Sequence, residues 1–268
     1  MDLFIQENPT ANAGSDETIC EDGYFTVDDA TADEYSSVTW TADACVGKGS
    51  EADGTFTGET TLTPTYTPGE GDIERGYVCL KLTAEPISPC TVADEDWMSI
   101  TIQLLPVVDA GEDATICDGE AYTLADATAE NYSSVTWSGG AGEFDYNGKF
   151  NPALHPSYTP DATEVGTTVT LTLTAQPIDP CTATDEDTVD LYILPSPEAN
   201  AGSDASICED GSYSVDDASA DNYDAVTWTT DGAGTIDDVT TLEPTYNAAS
   251  GETGTITMTL HAEPISPC

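Results

Sequence analysis

The chain has 268 residues, room for two or three domains of ordinary size, with 51 acidic residues against 4 basic ones and a net charge of −47. Charge of that sign and size repels nucleic acid and anionic membrane at long range and leaves cations as favoured partners. Because 38% of the residues are hydrophobic and fall in alternating Val, Ile, Tyr, Trp and Thr runs, the composition also excludes a disordered polyanion.

In chain order, the first residues, MDLFI, read as a short strand, followed by the phrase ANAGSDETIC from Ala11 to Cys20. A turn signal, EDG, and the acidic stretch VDDATAD at 27–33 lead to the strand SSVTWTA, which carries Trp40. TLTPTYTP supplies Tyr66, PGEGD breaks the chain, and YVCLKLT alternates Val78, Leu80 and Leu82 against Tyr77, Cys79, Lys81 and Thr83. Period two with β-branched residues marks a half-buried strand. The segment closes with TAEPISPC at Cys90 and a final strand, TVADEDWMSITIQL.

The same series then recurs. VDAGEDATIC ends at Cys117 and ANAGSDASIC at Cys208; Trp137 and Trp228 follow these cysteines by 20 residues, as Trp40 follows Cys20. Tyr158 and Tyr246 align with Tyr66, TVTLTLT repeats the alternation, and Cys181 and Cys268 close the second and third copies. No stretch holds a helical period over ten residues. An internal repeat of about 90 residues therefore organises the chain. The expected fold is all-β: a tandem array of three immunoglobulin-like antiparallel β-sandwiches, each with one core tryptophan. The boundaries fall at 9–106, 107–196 and 197–268. The third copy stops before its final strand, while MDLFIQENPTANAG lines up with VDLYILPSPEANAG and aligns Met1 with Met98 and Val189. Residues 1–8 thus read as the last strand of a preceding repeat. Alternatively Asp2, Leu3, Phe4 and Ile5 donate a strand to the open third repeat of another molecule.

These phrases resemble the polycystic-kidney-disease-like (PKD-like) or immunoglobulin-like tandem repeats of Bacteroidota cell-surface adhesins, including the SprB-type gliding-motility adhesin repeats. The resemblance covers nearly the whole chain. It implies a string of sandwiches exported to the cell surface, forming a filament that touches a substratum. The acidity at 27–33 and 215–221 exceeds that pattern and points to a saline setting.

Eight cysteines without a CxxC pair indicate disulfides in an oxidising, extracellular compartment rather than a thiolate metal site. No run of about 18 apolar residues offers a membrane span, and the N-terminal residues lack the charged head and apolar stretch of a signal peptide. Pairing within copies gives Cys20–Cys90, Cys117–Cys181 and Cys208–Cys268, and Cys45 and Cys79, found only in the first copy, then pair with each other. A rival scheme joins neighbours as Cys90–Cys117 and Cys181–Cys208. No cofactor is required by anything in the sequence. Calcium is the hard cation that the clusters Asp94, Glu95, Asp96 and Asp185, Glu186, Asp187 would suit, set against a plain solvated acidic surface. Catalysis is not expected: His155 and His261 occupy positions that the sister copies fill otherwise. The expected function is a disulfide-locked acidic rod, a structural segment of a secreted filament or adhesin stalk serving surface attachment or gliding. Two other classes are a self-polymerising filament subunit and carbohydrate-binding accessory repeats of a secreted enzyme. Its partners would be neighbouring repeats or copies of itself, with the surface or polysaccharide ligand unspecified.

Overall fold

The computed structural model describes residues 1–43, 45, 51–148 and 151–268, so Lys48 and Lys149 lie outside the described residues. The first repeat comprises β1 (Thr10–Asn12), β2 (Glu17–Cys20), β3 (Phe25–Thr26), β4 (Thr31–Asp33), β5 (Tyr35–Asp43), β6 (Thr55–Thr57), β7 (Thr65–Thr67), a short helix α1 (Glu70–Arg75), β8 (Tyr77–Pro86) and β9 (Asp94–Gln103). One sheet has the order β2-β9-β8-β5, a second the order β3-β7-β6, and β1 pairs with β4 in a ribbon. Alternation sets the register. Val78 lies opposite Ile100 and Leu80 opposite Met98, and on the other side of β8 Leu82 faces Trp40. Val78, Leu80, Leu82 and Ile100 are completely buried, and with Trp40, Tyr66 and Met98 they fill the core.

One pairing departs from the antiparallel pattern. β2 runs parallel to β9, with Glu17 opposite Ile100 and Cys20 opposite Gln103. The end of the opening strand therefore lies beside the end of the repeat's last strand.

The second repeat repeats this plan with β10 (Val107–Asp109), β11 (Ala114–Cys117), β12 (Tyr122–Thr123), β13 (Thr128–Glu130), β14 (Tyr132–Gly139), β15 (Glu143–Asp145), β16 (Ser157–Thr159), β17 (Thr168–Pro177) and β18 (Asp185–Leu194). Its sheets are β11-β18-β17-β14 and β12-β16-β15, with β11 again parallel to β18 and Cys117 opposite Leu194. The third repeat has β19 (Glu198–Asn200), β20 (Ser212–Ser214), β21 (Ser219–Asp221), β22 (Tyr223–Thr230), β23 (Thr235–Asp237), β24 (Thr245–Asn247) and β25 (Met258–Pro264). Here the larger sheet is reduced to β22-β25. The chain is thus all-β, built as tandem sandwiches. By contact density it divides into two compact units. One comprises Met1–Asp109, Thr128–Thr136 and Leu173–Asp187; the other comprises Ala110–Ala127, Trp137–Thr172 and Thr188–Cys268.

Candidate linkage sites

Each core tryptophan donates its indole N–H to a backbone carbonyl: Trp40 to Thr61, Trp137 to Leu154 and Trp228 to Thr241, at 2.9–3.0 Å. All three rings are buried, so the only polar atom of the indole is satisfied where water cannot reach it. Tyr66, Tyr158 and Tyr246 are buried with them, and each hydroxyl donates to a carboxylate six residues on: Asp72, Glu164 and Glu252. The carboxylates in turn accept from backbone N–H groups. Glu164 takes Ala141 at 2.6 Å and Asp161 at 2.8 Å; Glu252 takes Ala233 at 2.6 Å and Ala249 at 2.9 Å. Burial and the neighbouring carboxylate push the Tyr66 hydroxyl far up from its ordinary value, and push that of Tyr158 up to about 12. Burial alone would raise Glu164, but its hydrogen bonds from Ala141, Tyr158 and Asp161 outweigh that and leave it lowered. Sequence reading placed the tyrosines in the core and missed their acids; the constant spacing of six in all three copies was the available signal.

The six carboxylates that the sequence offers to calcium lie on β9 and β18. Three of them accept from the backbone of the opening segment. Asp94 accepts from the Ala11 N–H at 2.9 Å and Asp96 from Ala13 at 2.8 Å, and Asp185 accepts from Val108 at 2.9 Å. They hold the opening segment of their own repeat, whose N–H groups have no strand partner on that side. Glu95 instead meets Lys81 at 3.0 Å, and Glu186 accepts from the Thr174 hydroxyl at 3.1 Å. Among the described residues no group of three or more His, Cys, Asp or Glu side chains is placed to hold a metal ion.

The phrase AGSD is a built turn. Gly14 and Gly202 have φ of +95° and +87°, and a Cβ on either would fall about 2 Å from the carboxylate of Asp29 or Asp217. Those carboxylates accept from the N–H of Ser15 and Ser203. Glycine is needed for the backbone angle and for the close approach together. One residue beyond the serine, Asp16 accepts from the Ser99 N–H at 2.7 Å, and Asp113, its counterpart, from Asp190 at 2.9 Å, tying each opening strand to the parallel last strand.

The cysteines that recur in every copy do not pair within copies. The disulfides are Cys20–Cys181, Cys117–Cys268 and Cys45–Cys79, while Cys90 and Cys208 are free thiols. None of Cys20–Cys90, Cys117–Cys181 or Cys208–Cys268 forms, and neither does Cys90–Cys117 or Cys181–Cys208. The reason is the parallel pairing. Cys20 lies at the exit end of β9, beside Gln103, whereas Cys90 precedes β9. A ten-residue strand separates those ends by roughly 30 Å, far beyond a disulfide's reach of about 7 Å. The closing loop of the next repeat arrives instead, with Cys181 Sγ 3.3 Å from the Gln103 carbonyl oxygen. Cys45–Cys79 joins the end of β5 to β8, as elimination among the cysteines gives.

Of the remaining residues singled out from sequence, a ring nitrogen of His155 lies 2.9 Å from the Ala127 carbonyl, and His261 is exposed. Trp97 is 39% exposed, with the Lys81 ammonium 5.4 Å from its ring centre. Leu3, Phe4 and Ile5 stand 78–83% exposed.

No protein-family model matches the chain, and no curated protein matches it either. The resemblance to Bacteroidota adhesin repeats therefore has no support from sequence comparison. Solved structures do match, among them cadherin extracellular repeats. Human CDH23 EC21-23 aligns at TM-score 0.48 and 13% identity over 92% of this chain and 91% of that one. Mouse Cadherin-23 EC22-24 aligns at 0.46 and 14%, over 96% and 95%. Protocadherin Gamma B7 extracellular cadherin domains 1-4 align at 0.41 and 12%, over 97% and 77%. The fold class rests on the strand pairing described above.

Proposed function

We propose that this chain is a structural segment of an extracellular filament or adhesin stalk, a covalently interlocked spacer that bears load between whatever its ends hold. The three-repeat division at 9–106, 107–196 and 197–268 belongs to this reading, as does a role in surface attachment. The observation that carries it is the disulfide pattern: Cys20–Cys181 and Cys117–Cys268 each join the opening strand of one repeat to the closing loop of the next. Disulfides of this kind need an oxidising compartment, and side chains otherwise committed to cores, clamps and turns fit a structural part rather than an enzyme.

Pulling a single molecule by its termini tests it. With both disulfides intact the shortest covalent path runs from Met1 to Cys20, across to Cys181, back to Cys117 and across to Cys268. Reduction should lengthen the fully unfolded molecule about threefold, at about 3.5 Å per residue. Equal lengths with and without reductant would remove the interlocked spacer.

A further inference from the structure

Asn131, Tyr132 and Ser133 stand in the order asparagine, any residue but proline, serine, which secretory pathways read as an acceptor for an asparagine-linked glycan. Nothing in the cores, clamps and disulfides described above uses this tripeptide as a unit. Asn8 also has a hydroxyl residue two places on, Thr10, but Pro9 between them excludes it. Asn131 is the one match in the sequence.

The repeats separate what the fold needs here from what the tripeptide adds. The residue between β13 and β14 has a left-handed counterpart in every copy: φ is +53° at Glu34, +55° at Asn131 and +55° at Asn222. Asparagine suits that backbone, yet glutamate serves in the first copy, so the turn does not demand a carboxamide. Two residues on, Ser36 and Ser133 each donate to a carbonyl of the paired strand, Glu85 and Gln176, at 3.3 Å, whereas the third copy carries Asp224. The turn therefore accepts either residue at each place, and only the second repeat joins asparagine with serine.

The place also suits a large polar attachment. Asn131 is partly exposed, with Glu130, Ser133 and Ser134 exposed beside it. Among the described residues its carboxamide makes no hydrogen bond that an attached sugar would have to break. A glycan is bulky and solvated, so it is compatible with folding at a surface turn and not inside a sandwich.

We propose that Asn131 is the attachment site of an asparagine-linked oligosaccharide, carried on the turn between β13 and β14. In the transfer the Asn131 side-chain nitrogen bonds to the anomeric carbon of an oligosaccharide held on a polyisoprenyl pyrophosphate. The bond from that carbon to the phosphate oxygen breaks, the pyrophosphate leaves with the electron pair, and one amide proton passes to a base of the transferring enzyme. No oxidant or reductant takes part. Ser133 supplies the hydroxyl by which the acceptor is recognised. Transfer to the unfolded chain finds that hydroxyl free, before it meets Gln176. The inference rests on the extracellular reading of the chain and not on the stalk reading.

The full chain, given a secretion signal, is expressed in cultured animal cells and collected from the medium. Wild type should run as a slower band that peptide N-glycosidase collapses, and the same digestion in heavy-oxygen water should leave a labelled aspartate in place of Asn131. Asn131→Glu puts into the second copy the residue that holds this turn in the first. It should be secreted as well as wild type and lose the slower band completely, and Ser133→Ala should lose it too. Glu34→Asn completes the tripeptide with Tyr35 and Ser36 in the first copy and should add a second glycan. Secreted chains with Cys20–Cys181 closed and Asn131 unmodified, a slower band that survives Asn131→Glu, or no second glycan in Glu34→Asn would each overturn the proposal. Chains retained in the cell with that disulfide open would overturn the extracellular reading, and the inference with it.

Discussion

Glu164 concentrates the chemistry of a single residue in this molecule. It is a buried carboxylate in a chain overloaded with negative charge, kept ionised by Ala141, Asp161 and Tyr158. Its lowered folded-state pKa fixes the sign of its pH dependence. The stability it contributes is present above the ordinary glutamate range and is lost as pH falls through the folded value. Replacing it with Gln turns one acceptor oxygen into a donor facing N–H groups, at a cost of about 1–3 kcal/mol. Urea melts of wild type and Glu164→Gln should differ by that amount near pH 7 and converge as pH falls from about 5 toward 2. Comparing the two proteins is necessary because acid also relieves the repulsion among surface carboxylates. At the alkaline end, Tyr158, raised to about 12, contributes stability present below about pH 10 and lost as pH rises through 12.

At the scale of elements, the aspartates of β9 act as clamps. Asp96→Ala strips the partner from the N–H of Ala13, which is fully buried, and should destabilise the chain by about 1–3 kcal/mol in a chemical melt. Glu95→Ala, one residue away on the exposed face, should change stability by less than about 1 kcal/mol. What sequence discloses divides along the same line. The repeat, the alternation in β8 and β17 and the burial of Trp40, Trp137 and Trp228 are local periodicities, readable from one strand at a time. The pairing of Cys20 with Cys181 depends on β2 running parallel to β9, and the role of Asp94 and Asp96 depends on which backbone lies across from them. Spacing could not decide the cysteines, because pairing within copies and pairing to the next copy repeat with similar regularity. Composition could not decide the aspartates, because a clamp and a calcium ligand use the same side chain.

At the scale of the whole molecule, a net charge of −47 opposes compaction and extends over a surface with almost no compensating cations. Melting temperature should therefore rise from dilute buffer to molar sodium chloride as screening shortens the range of repulsion. A calorimetric scan at both ionic strengths measures it, and equal midpoints would remove repulsion as a factor. In the chain-entropy picture each long disulfide offsets part of that repulsion, by about 5 kcal/mol for a loop of this length, so reduction should lower the midpoint at either salt concentration.

The two long disulfides have one more consequence. Cys20–Cys181 and Cys117–Cys268 close rings that overlap between Cys117 and Cys181, so every peptide bond from Cys20 to Cys268 lies inside at least one of them. Proteases cut folded proteins at exposed surface turns. Any single cut in this stretch leaves the molecule in one covalent piece. Redundancy of this kind belongs to a woven thread more than to a string of beads: continuity survives the loss of any one link.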